Sequence, residues 1–237
     1  MIQKLISSAY LDALNHVIYP NMCAHCHTEI GRFESYLCHA CWEATLPTYF
    51  EHYKETTALD QLFFGRTKLH STYALFHFET ENPIQSLLHV LKYNHREKVG
   101  HYLGQELGKK LKLKGFTQPV DAIVPVPIHP KKEFQRGYNQ CDSICRGIAQ
   151  ALKTRIDKTL LRKTYNSTSQ TRKSKWERWE NSIDNFSIME NRMEYQHILL
   201  VDDVITTGAT LESIINKLNR HYPELKISVA SVAFTGK

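Results

Sequence analysis

The stretch His197-Ile-Leu-Leu-Val-Asp-Asp-Val-Ile-Thr-Thr-Gly-Ala-Thr210 decides how this chain is read. Ile198 to Val201 are apolar without alternation, as in a strand covered on both faces. Asp202 and Asp203 sit where that strand is expected to end. Thr206-Thr207-Gly208-Ala209-Thr210 then leads into Leu211 to Leu218, whose apolar spacing is helical. Such a loop offers backbone N–H groups at a helix N-terminus, which suits a phosphate. The two carboxylates one step earlier suit sugar hydroxyls or a hydrated Mg²⁺. A phosphate cradle beside a diol-and-metal clamp fits a phosphorylated ribose.

The order of residue types in 198–210 resembles the phosphoribosyl pyrophosphate (PRPP) signature of type I phosphoribosyltransferases. That signature is four apolar residues, two acids, two further positions and Thr-Thr-Gly-x-Thr, and every position agrees. The competing reading is an ordinary strand-loop-helix connection in which two acids fall by chance. Two adjacent acids alone would say little; followed by Thr-Thr-Gly-Ala-Thr they are specific.

The chain has 237 residues, room for a large domain and a small appendage. Its hydrophobic fraction of 42% is that of a globular protein with a core. A formal charge of +6 and a pI near 8.9 favour anionic partners, phosphates and nucleic acid alike. No apolar run is long enough to span a bilayer. Residues 1–19 are amphipathic, interrupted by Asp12, Asn15 and His16, so a short helix on the protein body is expected rather than a signal peptide. A cytoplasmic location follows as an expectation.

Cys23-Ala-His-Cys26 and Cys38-His-Ala-Cys41 are paired Cys-x-x-Cys knuckles, the pattern of a tetrahedral Zn²⁺ site with four thiolates. Gly31 allows a tight turn between them. Two disulfides are the competing reading, and the lack of an export signal argues against them. A closed four-thiolate site is structural. His25, His27 and His39 lie nearby as solvated neighbours, although one of them could replace a ligand. Cys141 and Cys145, four apart in a helical stretch, read as small core residues.

Along the chain, Ser71–Phe78 is β-rich, and helical spacing runs from Pro83 through Leu91 and again through Leu103, Leu107 and Leu111. Residues 51–70 read as a connector. Val120–Val126 is a second core strand. It enters a loop over 127–140 rich in proline and cations. A helix from Cys141 to Lys153, a strand near Thr159–Arg162 and a closing strand Lys226–Phe234 complete the reading. Strands alternating with helices predict a parallel sheet, with ligand loops beyond the strands' carboxyl ends.

With these motifs in order, the chain resembles the ComF family, also called the competence protein F or GntX-like group. The carrying residues are the four cysteines, Lys92-Tyr93, Val124-Pro-Val-Pro127 with Arg136-Gly-Tyr-Asn-Gln140, Gln170-Thr171, Arg178, Asn181 and Phe186, and the PRPP signature. The resemblance implies an α/β fold with a type I phosphoribosyltransferase-like parallel sheet flanked by helices and a small N-terminal zinc-binding domain. Residues 1–60 would hold the N-terminal helix and the four-cysteine zinc knuckle, and 61–237 the phosphoribosyltransferase-like domain. It implies PRPP binding with Mg²⁺, phosphoribosyl transfer to an acceptor, and a link to DNA uptake in natural transformation. A non-catalytic single-stranded DNA-handling protein and a PRPP-sensing regulator are the alternatives.

On that plan residues 125–140 stand for the pyrophosphate loop and 164–186 for the loop that closes over substrate. Displacing diphosphate builds charge on the leaving group, so cations and Mg²⁺ must face it. Asp202, Asp203 and Arg136 are the candidate catalytic residues. Val204, Ile205, Thr206, Thr207, Gly208, Ala209 and Thr210, with Lys92, Lys131 and Lys132, are candidates for PRPP binding. The stretch Arg172-Lys173-Ser-Lys175-Trp176-Glu-Arg178-Trp179 fits a mobile lid, a single-strand nucleic-acid surface on which Trp176 and Trp179 stack, or a helix with one Trp in the core.

Overall fold

The apolar run at 198–201 becomes the middle of a parallel sheet. The structure, a computed structural model, describes residues 20–31, 34–93, 96–114, 119–163, 186–189 and 194–236. The expected N-terminal helix and the basic-aromatic stretch with Arg172, Lys173, Lys175, Trp176, Arg178 and Trp179 lie outside them. So do Gln170, Thr171, Asn181 and nearly all of the expected closing loop over 164–186. The helices are α1 (His39–Glu43), α2 (Ala58–Phe63), α3 (Pro83–Tyr93), α4 (Glu97–Leu113), α5 (Pro130–Arg136), α6 (Gln140–Leu152) and α7 (Ala209–His221). The strands are β1 (Ser71–His77), β2 (Ala122–Pro125), β3 (Arg155–Ile156), β4 (Leu161–Lys163), β5 (Phe186–Ile188), β6 (His197–Ile205) and β7 (Lys226–Phe234).

Five strands form one sheet in the order β1-β7-β6-β2-β3, every pair parallel. Ile198, Leu199, Leu200 and Val201 are fully buried, as are Val229 and Ala230 beside them on β7. This is the burial that an unalternating apolar strand requires. β4 and β5 pair antiparallel apart from this sheet.

The sheet has a switch point. The chain leaves β2 for β3 on one side and leaves β6 for β7 on the other. The loops after β2 and β6 therefore diverge, opening a crevice at the carboxyl ends of the two strands. Two packed helices fix one wall of it. α4 and α6 touch through glycines: a Cβ at Gly104 would lie 2.1 Å from the Ile144 carbonyl, and one at Gly147 would lie 2.1 Å from that of His101. Backbone against backbone leaves no space for a side chain, so α6 and its N-terminus are held in one place.

The N-terminal segment joins the same core. The Glu51 side chain is buried and accepts hydrogen bonds from Tyr73 Oη at 2.7 Å and from Lys110 Nζ at 2.5 Å, tying the turn at Phe50–His52 to β1 and α4. Burial alone would raise the Glu51 pKa, but these partners hold it below the usual carboxylate range.

The structure corrects three expectations. The stretch 51–70 is not a bare connector: it contains the turn at Phe50–His52 and α2, which Thr57 and Asp60 start with a reciprocal capping box. The 127–140 loop contains α5, because Pro130 sits at the helix start, where its missing N–H costs nothing. Both helices are too short to show periodicity. Finally, β6 does not end at the acids. It runs through Asp202 and Asp203 to Ile205, paired with β7 up to Phe234. β2 stops at Pro125, opposite Val201, so this last part of β6 has a free edge toward the crevice.

Candidate functional site

Asp202 and Asp203 occupy that free edge. Asp203 is buried, 7% exposed. Its Oδ2 lies 2.8 Å from Lys92 Nζ at the end of α3 and accepts from Gln140 Nε2 at 3.3 Å. Its Oδ1 accepts the Val204 N–H at 2.8 Å. Asp202 Oδ1 accepts the Asp203 N–H at 2.9 Å and faces the Cys141 thiol at 3.7 Å. Burial and the adjacent Asp203 carboxylate push Asp202 up to about 7, against the pull of Lys92. Asp202 is thus neutral below that pH and ionised above it.

Arg136 ends α5 and donates to Gln140 Oε1 at 2.9 Å, and its guanidinium lies 5.5 Å from the centre of the Tyr93 ring. A chain of contacts therefore runs from Arg136 through Gln140 to Asp203 and Lys92. It joins the expected pyrophosphate loop to the expected ribose clamp. Lys131 and Lys132 are exposed on α5. Lys163, at the end of β4, is missed by sequence reasoning, because one lysine at the edge of a polar stretch carries no signal. Burial and then Lys132 lower its pKa, while Asp202 raises it.

The signature loop divides by exposure. Ile205 is in the core at 1% exposure, so it offers only its backbone. Thr206, Thr207, Ala209 and Thr210 are exposed, and Val204 is half-buried. Gly208 takes φ +71 and starts α7 without a side-chain cap. The first N–H groups of a helix lack partners within the helix, so this end can receive an anion.

Far from these acids in the sequence, Cys23, Cys26, Cys38 and Cys41 bring their Sγ atoms within 4.8 Å of one another. All four are free thiols. Tetrahedral Zn–S bonds place sulfurs about 3.8 Å apart, and Cys26 and Cys38 already stand at 3.6 Å. The set fits a structural zinc ion. Hydrogen bonds with Thr28 lower the Cys26 thiol to about 6, toward the thiolate a metal needs. Two of the nearby histidines have other partners: His25 Nδ1 is 3.0 Å from Ser86 Oγ, and His39 is 3.2 Å from Glu43. Cys141 and Cys145 are fully buried core residues.

Comparison with known proteins adds similarity at the level of the domain. Residues 144–237 match the phosphoribosyl transferase domain family. DNA utilization protein YhgH of Escherichia coli K12 is 29% identical over 143 residues, 59% of this chain and 62% of that protein. Competence protein F of Haemophilus influenzae is 33% identical over 115 residues, 48% of this chain and 50% of that protein. Competence protein ComFC of Bacillus subtilis is 35% identical over 89 residues, covering 38% and 34%. The chain thus spans less than two thirds of each of these relatives. The parallel sheet flanked by helices and the domain match over 144–237 give the chain a phosphoribosyltransferase-like fold. Similarity to these relatives, together with the four-cysteine cluster, agrees with the resemblance to the ComF family. Among the described residues no helix is long and apolar enough to cross a membrane.

Two measurements test the site. The purified chain should carry stoichiometric zinc by atomic absorption. Cys26→Ser with Cys38→Ser should lose it and lower the melting temperature; retained zinc would dismiss the cluster as the ligand set. In Asp203→Asn the neighbouring charge is gone, so Asp202 should titrate at lower pH than about 7 by carboxyl ¹³C NMR. An unmoved midpoint would mean that Asp203 does not act on it.

Proposed function

We propose that the chain binds PRPP with Mg²⁺ in the crevice between the β2 and β6 loops. The observation that supports this most is the pairing of Asp202 and Asp203 with the uncapped start of α7 one short loop away. On this reading the amides and hydroxyls of 206–210 take the 5′-phosphate. Asp202 and Asp203 face the ribose hydroxyls and the metal. Arg136, Lys92, Lys131 and Lys132 face the diphosphate, and Arg suits it through bidentate contacts. Mg²⁺, when bound, would neutralise the diphosphate as a leaving group.

In the resting arrangement Lys92 is paired with Asp203. Ligand and metal must share or replace that pair, so the cation is delivered where charge develops rather than left free in solvent. Transfer of the phosphoribosyl group to an acceptor is the activity the site would then support. The same proposal divides the chain into a four-cysteine zinc unit, residues 1–60, and a phosphoribosyltransferase-like unit, residues 61–237, in a cytoplasmic protein.

Calorimetry with PRPP and Mg²⁺ tests the proposal. Wild-type protein should bind, and Asp202→Asn with Asp203→Asn should remove binding. Equal affinity in the two proteins would dismiss the crevice as the PRPP site.

A role in handling incoming single-stranded DNA during uptake is the second part of the proposal. The names of the relatives, DNA utilization protein and competence protein, favour it. So does the cationic and aromatic make-up of 172–179. Affinity for a single-stranded oligonucleotide should fall as salt rises and fall again in Trp176→Ala. Binding indifferent to both changes would exclude this segment as the contact.

A further inference from the structure

The signature loop rests on a part of the chain that the PRPP motif does not include. Leu62 and Phe63, at the end of α2, lie against Gly208. A Cβ on that glycine would meet Phe63 Cε1 at 2.8 Å and Leu62 Cδ2 at 3.2 Å. Arg66 follows. Its Nη1 donates to the carbonyls of Leu62 and Thr207, each at 3.0 Å, and its Nη2 bonds the Glu212 carboxylate in the first turn of α7. The base beneath Arg66 is firm. The Thr57–Asp60 capping box fixes α2, and Thr72 of β1 donates to Asp60 Oδ1 at 2.6 Å.

We propose that Arg66 is a positioning residue for the phosphate cradle, holding the Thr207 carbonyl so that the Gly208 N–H faces the ligand; this rests on reading 206–210 as that cradle. Peptide geometry supplies the reason. The Thr207–Gly208 bond is trans, so its C=O and N–H point in opposite directions. Drawing the carbonyl onto Arg66, on the α2 side, turns the N–H away from α2 toward the open side of the loop. Gly208 cannot orient itself: it has no side chain, and φ +71 is a conformation it adopts without strain but shares with others. An external clamp selects among them.

Arginine suits this clamp because its planar fork serves two carbonyls and a carboxylate at once. A lysine would bring the same charge without the fork. Glu212 also fixes how Arg66 acts. Its carboxylate balances the guanidinium, so Arg66 works through the loop rather than as a loose cation beside the phosphate.

The test uses Arg66→Met, Arg66→Lys and Arg66→Met with Glu212→Gln, probed with ribose 5-phosphate and separately with Mg²⁺-pyrophosphate. In Arg66→Met, ribose 5-phosphate affinity should fall about tenfold, the loss of a charged hydrogen bond, while pyrophosphate affinity holds. Arg66→Lys should recover only part of the loss. Amide hydrogen exchange supplies a readout that needs no ligand. The Ala209 and Glu212 N–H groups bond Thr207 Oγ1 at 3.4 Å and the Gly208 carbonyl at 2.8 Å, and both should exchange faster in Arg66→Met. Unchanged exchange there would overturn the proposal. So would full recovery in the double variant, which would assign the loss to Glu212's bared charge. If wild-type protein bound neither ligand, the PRPP reading would fall, and the exchange data would still judge Arg66.

Discussion

One buried carboxylate joins the working parts of this molecule. Asp203 lies inside the protein and is held by Lys92 from α3, Gln140 from α6 and a backbone N–H of its own strand. A charge in that position is tolerated only when its oxygens are met by such partners. The three elements must therefore arrive in register at the end of β6. Arg136 is drawn into the same network through Gln140, so the loop after β2 is placed by the strand beside it. The crevice depends on this joint, because its two walls are otherwise separate loops.

The joint is held from behind by helix packing. α6 can bring Gln140 and Cys141 to the acids only because its far side closes directly on α4 through Gly104 and Gly147. On the other side of the signature loop, α2 and Arg66 play the matching part. The loop itself is short, exposed except at Gly208, and made of small residues. Its shape is set by what lies under it. Loops carried on a rigid scaffold commonly hold function for this reason.

Much of this was legible in the chain. The apolar run at 198–201, the acids, and Thr-Thr-Gly-Ala-Thr announced the strand, the crevice loop and the helix start in order. The paired Cys-x-x-Cys knuckles announced the thiol cluster. What escaped were short elements. α2 and α5 are too brief for periodicity, and their signals were a capping box and a proline at a helix start. Lys163 and Arg66 escaped for another reason: each is one cation among 30 Lys and Arg residues, and its part is defined by neighbours far away in sequence.

Read as a string, the residues carried the local chemistry: which strand is buried on both sides, where a helix begins with free amides, and which thiols can share a metal. These follow from nearest neighbours and simple periods, which a linear order contains. Which groups meet was left to the folded molecule. That Lys92 faces Asp203, that Cys141 touches Asp202 and that Arg66 grips Thr207 depend on the crossing of helices and the order of strands. Those contacts span 61 residues between Cys141 and Asp202 and 141 between Arg66 and Thr207. No local pattern encodes them, because the energy that fixes them comes from packing the whole core.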